Sequence, residues 1–263
     1  MLRTLSIKSL YALALAEGEG VGTAYEYFAK RLVLGRWLAD QKRPSRILVA
    51  GLPEKYGSSL DFLQLAQEVG AEMTVVDERP LSLEKLRNSL AAAQKEGWLA
   101  VTPQTIAVDT MTDLSAAVGP FDLVISSEVL QRLNPDERVE YIKQVRGMGT
   151  AVALFAPNSD NAAHTNISGL SGIKLAELRA YLQTCPDRRS PLANSKTGYI
   201  DMPPFPPGIT RSDDQREQAT SGRMEAIAMW GLGYYARAER FLPLSIRRSH
   251  SHIVYALLSV AHP

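Results

Sequence analysis

The spacing of apolar residues changes at Arg46. Before it, Tyr25, Phe28, Leu32, Trp37 and Leu38 recur on one helical face, after a break at Gly18, Gly20 and Gly22. The first forty or so residues therefore read as helices with an apolar side suited to covering a pocket or sheet. Beyond Arg46, short apolar runs alternate with longer amphipathic stretches. Ile47–Ala50, Glu72–Val76, Thr105–Val108, Phe121–Ile125 and Gly149–Phe155 read as strands. Ser59–Val69, Leu83–Gln94 and the stretch from Asn134–Pro135 to Val145 read as helices, with Gly70 closing the first and Asn134 and Pro135 opening the last. Such alternation with short connections predicts an α/β fold with a mostly parallel sheet covered on both faces. Ser171–Leu182 and Gly222–Arg237 are further helices, and Ile253–Val260 is a terminal strand. Between them, Pro186, Pro191, Pro203, Pro204, Pro206, Pro207 and Gly208 interrupt the rhythm, and Cys185–Gln218 reads as a structured excursion over one edge of a cleft. The expected division is a helical extension over 1–44 and one domain over 45–263, with an inserted cap or wrap around 185–220.

Composition narrows the function classes. With 263 residues, 45% of them hydrophobic, the chain can bury a sizeable core. Lys plus Arg number 29 against 28 Asp plus Glu, which argues against an overall electrostatic design for nucleic acid. Cys185 is the one cysteine, so no internal disulfide or thiolate cluster forms, as suits a reducing, cytoplasmic setting. Arg3 and Lys8 precede a Leu/Ala run, but that run is short and passes into Glu17–Gly20, so an N-terminal helix is expected in place of a secretory signal. No apolar stretch reaches membrane-spanning length, and no membrane partner is expected.

Candidate chemistry gathers at strand ends, where an open parallel sheet leaves its ligand crevice. Those ends carry Gly51, Asp77, Asp109 and Ser126–Glu128. Gly51, without a Cβ, lets a ligand approach the backbone. Asp77 is placed to accept from two ribose hydroxyls and Asp109 from an adenine amino group, although strand-end carboxylates also simply cap turns. This arrangement resembles the class I S-adenosylmethionine-dependent methyltransferases over roughly 46–157, best in Phe121-Asp122-Leu123-Val124-Ile125-Ser126-Ser127-Glu128-Val129-Leu130-Gln131-Arg132-Leu133. The resemblance implies a Rossmann-like, mostly parallel sheet with an antiparallel terminal strand, and S-adenosyl-L-methionine as cofactor. It makes Asp77 the ribose acid, Asp109 the adenine-side acid, and Ser126, Ser127 and Glu128 the pocket segment, with Asp122 supporting the fold. The glycine-rich cofactor loop is degenerate: Val49 stands in the usual acidic neighbourhood and Pro53 where a glycine is expected. Gly51 and Gly57 still shape the loop, Ser58 and Ser59 offer polar contacts or a cap, and Glu54 could meet the cofactor's amino group. A nicotinamide dehydrogenase would show Gly-x-Gly-x-x-Gly, and a phosphate-binding P-loop would end in Gly-Lys-Ser/Thr; neither is present, and Lys55 precedes Gly57.

The expected activity is methyl transfer to a small molecule. Glu128, His164 and Tyr199 are the catalytic candidates: Glu128 near the reactive end, His164 as a base in the loop after the fifth strand, and Tyr199 held over the cavity by the Pro203-Pro204-Phe205-Pro206-Pro207-Gly208 turn. Arg211, Asp213, Asp214 and Arg216 suit an ion-pair network. His250 and His252, two apart, would share one face of an extended segment and form a sheet-edge pair, since no further ligands complete a metal site. Arg237, Arg240, Arg247 and Arg248 read as a solvated surface. Two other functions are consistent with the sequence: a methyltransferase fold without catalysis, serving a protein partner as an assembly or regulatory subunit, and an RNA methyltransferase.

Overall fold

Seven strands form a single sheet in the order β3-β2-β1-β4-β5-β7-β6 in the computed structural model, which describes residues 5–184, 195–204 and 223–259. Two helices come first, α1 (Ile7–Ala16) and α2 (Val21–Leu38). The alternating part follows: β1 (Arg46–Ala50), α3 (Leu60–Val69), β2 (Glu72–Asp77), α4 (Pro80–Lys95), β3 (Gln104–Ala107), β4 (Leu123–Ser127), α5 (Pro135–Met148) and β5 (Ala151–Pro157). The chain continues through α6 (Ala162–Ser168), α7 (Leu175–Thr184), β6 (Lys196–Ile200), α8 (Arg223–Ala238), α9 (Leu244–His250) and β7 (Ile253–Ser259). Strands β1 to β5 pair in parallel, and β7 runs antiparallel between β5 and β6. This is the expected Rossmann-like architecture.

The continuous apolar runs are explained by burial on both faces. Along β1, Ile47 and Val49 join one core while Leu48 and Ala50 join the other. The same alternation divides β5, with Ala151, Ala153 and Phe155 on the first side and Val152, Leu154 and Ala156 on the second. The first core also takes Leu10, Leu13, Tyr25, Phe28 and Leu34 from α1 and α2, so the two N-terminal helices cover the sheet together with α3 and α4. The second lies against α5 and α7 through Tyr141, Ile142, Val145, Leu178 and Leu182. Each fully buried Leu or Ile contributes roughly 1.5–3 kcal/mol.

Local chemistry sets several boundaries. Asn134 accepts from the backbone of Asp136 and Glu137 while Glu137 reaches back to Asn134, a capping box that opens α5 at Pro135. Pro80 sits in the first turn of α4, which therefore begins before the expected Leu83. Phe121 makes only an isolated bridge to Gly149, so β4 starts at Leu123. Strand β6 was not expected within the proline-rich region, and α6 occupies what reads as a loop. His250 ends α9 whereas His252 lies just ahead of β7, so the pair does not share an extended face. Cys185, Phe205 and the Arg211, Asp213, Asp214 and Arg216 network lie outside the described residues. Among the described residues, no helix is long and apolar enough to cross a membrane.

Candidate functional site

The carboxyl ends of β1, β2, β4, β5 and β6 and the amino end of β7 share one edge, as the register shows: Ala50 lies beside Val76, Ser127 beside Phe155, and Pro157 and Ile200 both beside Ile253. The β1–β2 half is the expected nucleotide crevice. Gly51 turns at φ +85° and donates its N–H to Val76 O at 2.8 Å. A Cβ at Gly51 would collide with Val129 and lie 3.1 Å from Met111 Cε and 3.2 Å from Arg132 Nη2, so these side chains already cover the glycine. Asp77, wholly buried, accepts from Leu52 N (2.7 Å) and Arg79 N (2.8 Å), from Arg79 Nε and Nη2 (both 2.9 Å), and from Arg132 Nη2 (3.3 Å). Burial alone would raise its pKa; the hydrogen bonds from Arg79 and the Arg132 charge overcome this and hold it below the ordinary carboxylate value. Both oxygens are therefore engaged by the chain's own donors.

The loop between β1 and α3 is held from within in the same way. Glu17 Oε1 accepts from Ser58 N (2.8 Å) and Leu60 N (3.2 Å), placing a carboxyl at the N-terminus of α3, and Tyr27 donates its hydroxyl to Glu17 Oε2 at 2.5 Å. Gly57, at φ +71°, donates to Glu19 Oε1 at 3.2 Å, and a Cβ there would collide with the Tyr27 hydroxyl. Burial pushes Glu17 up to about 8. Asp109 is exposed just beyond β3, whose Ala107 pairs with Asp77.

The β4–β5–β7–β6 half carries a different assembly. Lys30 of α2, fully buried, donates to Glu26 Oε1 at 2.7 Å and to Ser127 Oγ at 3.2 Å at the end of β4. Burial opposes its charge, but Glu26, Asp61 and Glu128 hold its pKa above the ordinary lysine value. Glu128 follows at φ +58°, hydrogen-bonded to Glu26, and burial together with the Glu26 charge pushes it up to about 8. Asp201, just past β6 and at φ +65°, faces His252, with Nδ1 to Oδ2 at 3.2 Å. Burial would lower the His252 pKa; the Asp201 charge and hydrogen bond more than offset it and raise it. The His164 ring stacks on His252, centroids 3.9 Å apart, and burial followed by the His252 charge lowers its pKa to about 4.

The backbone around this assembly is pinned. Asn158 Nδ2 donates to Arg248 O and Ser251 O, each at 2.8 Å, and Asn161 Nδ2 donates to His250 O at 2.9 Å while its Oδ1 caps α6 at His164 N. Glu239 accepts from Met202 N at 2.9 Å and from the Tyr25 hydroxyl, tying the turn after β6 to α2. Within this fixed frame, Glu128 Oε2, Asp201 Oδ1, His164 Nδ1 and both Asp61 oxygens have no hydrogen-bond partner. Left-handed backbone at Glu128 and Asp201 costs of order 1–3 kcal/mol each and persists because the surroundings over-determine it.

Of the residues singled out in the sequence, Ser127 and Glu128 adjoin the Glu26–Lys30 pair and His164 stacks on His252, whereas Ser126 Oγ accepts from Tyr141 at 2.8 Å. Tyr199 points into the second core and donates to Asp160 Oδ2 at 3.2 Å. Glu54 accepts from Gln131 Nε2 at 3.2 Å. Sequence reasoning passed over Lys30 and the pairing of Asp201 with His252. The Glu26–Lys30 spacing of one helical turn was the available signal. Among the described residues, no group of three His, Cys, Asp or Glu side chains is arranged to hold a metal ion.

No protein-family model matches the sequence, and no curated protein sequence matches it. Solved structures do share its fold. The methyltransferase domain of bacterial CtHen1-C aligns with a TM-score of 0.52 at 10% identity, covering 90% of this chain and 100% of that one. The plantazolicin methyltransferase BamL, solved with S-adenosylhomocysteine and a desmethyl analogue, gives 0.51 at 8% identity over 95% and 85%. The N-methyltransferase NodS of Bradyrhizobium japonicum WM9, solved with S-adenosylhomocysteine, gives 0.50 at 13% identity over 90% and 88%. The chain has the Rossmann-like fold of the class I methyltransferases.

Proposed function

We propose that the chain is a methyltransferase acting on a small polar molecule, with S-adenosylmethionine as donor. The observation that carries this reading is the buried, partly unpaired polar assembly of Glu26, Lys30, Glu128, His164, Asp201 and His252, set beside the nucleotide crevice of a methyltransferase fold. Buried polar atoms are nearly always paired, and pre-set groups without partners are what a bound ligand would complete.

The crevice residues fit the donor on one condition. Gly51 and the Asp77 carboxyl are the groups that would hold a nucleoside, and Asp77 becomes available only when Arg132 and Arg79 let go of it. S-adenosylmethionine, when bound, supplies a methyl group already activated by its sulfonium. The chain's own residues orient the acceptor: Glu128 and Asp201 present carboxyl oxygens to it, and Lys30 fixes Glu26 and Ser127 behind them. His164, neutral at pH 7, presents an unpartnered Nδ1 that can accept a proton from the acceptor. Positioning supplies the greater part of such catalysis.

A second reading has its own observation. With Asp77 saturated, Val129 over Gly51 and Glu17 at the α3 N-terminus, the crevice is complete without a nucleotide, as suits a protein that keeps the fold and has lost the reaction. Calorimetric titration with S-adenosylhomocysteine, on the unaltered chain and on Arg132→Ala, separates the two. Methyltransferase function predicts saturable binding that tightens at least tenfold in Arg132→Ala. No binding by either folded protein leaves the non-catalytic reading.

A further inference from the structure

The helix α8 is turned the unusual way round. The side it presents to the core carries small or polar residues: Gly233, Ala236 and Glu239 are buried with Met229, and a Cβ at Gly233 would lie 3.8 Å from both Ile7 and Phe28. The opposite side, continued by the turn Glu239–Phe241, carries the large ones. Trp230 (65% exposed), Tyr234 and Phe241 (75% exposed) stand at i, i+4 and i+11, on one helical face. Leu244 and Ile246 of α9 follow, also exposed. Half of the exposed large apolar side chains among the described residues thus fall between Trp230 and Ile246, while the rest are spread from Tyr56 to Ile167. Single exposed apolar residues are ordinary, but a run of them marks a contact surface. The charge here has one sign. Met229–His250 contains four arginines and one acid, Glu239, which is buried and bonded to the Tyr25 hydroxyl. Arg248 is paired with Asp160 at 3.0 Å, which leaves Arg237 and Arg240 to set the charge beside the aromatic face. Exposed Arg36, at the end of α2, adds to them: burial and then the Arg240 and Arg237 charges lower its pKa. Asp40, four residues on, is paired with Lys196 at 3.9 Å.

We propose that the outward face of α8 and the turn after it lie on an anionic phospholipid surface, with Trp230, Tyr234 and Phe241 entering the headgroup boundary and Arg240 and Arg36 meeting lipid phosphates. Tryptophan and tyrosine rings are apolar with one polar tip and settle at that depth, and basic side chains beside them are drawn to acidic lipid. The expectation of no membrane partner concerned spanning length, which a surface contact does not need. A nucleic acid fits this face less well. Trp230 and Tyr234 pack against each other at 55° with centroids 4.4 Å apart, and the Arg240 guanidinium lies over Phe241 at 4.5 Å, so the rings form no parallel ladder for bases. Leu244 and Ile246 offer no ring at all. A second copy related by a two-fold axis would bring two surfaces of like charge together. The proposal is independent of the reading given under Proposed function.

The test is co-sedimentation of the full chain with vesicles of one part phosphatidylglycerol to two parts phosphatidylcholine, with pure phosphatidylcholine vesicles as the control. The chain should pellet with the mixed vesicles at low salt, stay in solution with the neutral ones, and be released as salt is raised. Arg240→Gln should weaken binding about fivefold. Trp230→Ser and Phe241→Ser should each weaken it about tenfold or more. Leu81→Ser, at an equally exposed position on α4, should leave it unchanged. All four side chains are exposed, so the thermal midpoint should hold in each variant, and the contrast between the two lipids needs no variant. No pelleting with the mixed vesicles overturns the proposal, as does equal pelleting with the neutral ones. So does a loss in Leu81→Ser as large as that in Trp230→Ser. A dimer in sedimentation equilibrium that Trp230→Ser dissociates assigns the face to a second copy and overturns it too. A single-stranded RNA oligonucleotide that displaces the vesicles, and whose own binding is lost in Trp230→Ser, overturns it in favour of nucleic acid.

Discussion

On the β1–β2 side of the strand-end edge, Asp77 meets two guanidinium groups and a backbone amide, Glu17 meets two backbone amides and a tyrosine, and Val129 fills the space before Gly51. On the β4–β5–β7–β6 side, Glu128 and Asp201 are as removed from water and His164 partly so, yet each keeps an atom with no partner. Both halves were built from buried acids at strand ends. The first spends its carboxylates Asp77 and Glu17 on holding the loop in place, and the second leaves a carboxyl oxygen of Glu128 and of Asp201 without a partner. A buried group that pairs internally stabilises the fold, whereas one left unpaired costs roughly 1–3 kcal/mol unless a ligand completes it. The first half therefore reads as structural in its present state, and the second as the ligand-facing half.

The largest expected effect comes from opening the first half. Asp77→Ala leaves Arg132, Arg79 and Leu52 N without their shared acceptor, and removing one partner from a buried ion pair costs about 3–5 kcal/mol. For a chain of this size the thermal midpoint should fall by roughly 10 °C. A midpoint within a degree or two of the unaltered protein would mean that the arginines are not held by Asp77 in solution, and the contrast between the halves would collapse.

Gly57→Ala should come next, at about 2 kcal/mol. It forces an L side chain into φ +71° and into the Tyr27 hydroxyl, which cannot retreat without releasing Glu17. Tyr27→Phe provides the check, since removing the hydroxyl gives the new methyl room and the double variant should recover part of the loss. Equal losses in single and double variants would show that strain at the backbone, and not the collision, carries the cost.

Asp77 and Glu128 should also answer pH in opposite senses. Asp77 is held below its ordinary value, so its contribution is present above the unfolded carboxylate pKa and is lost as pH falls through the folded one. Glu128 is raised from 4.5 to about 8, so the folded chain binds a proton that the unfolded chain has released. Its contribution is full below about pH 4.5 and declines as pH rises towards 8. Glu128→Gln mimics the protonated side chain and should leave stability nearly unchanged at pH 5. The gain should grow from pH 5 towards 8 and level off above it, visible as a flatter decline of the denaturant midpoint across that range. Glu17, raised to about 8 in the other half, keeps a residual slope in that variant.

How far this contrast could be read from the sequence depends on distance along the chain. The apolar runs Ile47–Ala50, Glu72–Val76 and Gly149–Phe155 are continuous because those strands are buried on both faces, and they located β1, β2 and β5 within two residues. Strand β6 escaped because Lys196-Thr197-Gly198-Tyr199-Ile200 is short and flanked by prolines, and its pairing with β7 is made by backbone groups. The polar assembly escaped for a different reason. Glu26 and Lys30 come from a helix some hundred residues before Glu128, and Asp201 meets His252 only because β7 turns back between β5 and β6. Nor does spacing reveal that Asp77 is already occupied, because Arg79 reaches it from two residues away but Arg132 arrives from the turn after β4.

The smallest effect separates two acids that look alike in the sequence. Asp77 and Asp109 both follow apolar strands and both suit a nucleoside, yet one is wholly buried and the other lies exposed past the edge strand β3. An exposed side chain without a buried partner set should tolerate substitution within about 0.5 kcal/mol, so Asp109→Asn should leave the thermal midpoint where it is. Its informative readout is nucleoside binding in the Arg132→Ala background. If Asp109 reaches an adenine amino group, Asp109→Asn weakens S-adenosylhomocysteine binding there without touching stability. If binding is unaltered, β3 contributes no polar contact to the nucleoside, and Asp77 alone among the strand-end acids of that half is tied to the ligand.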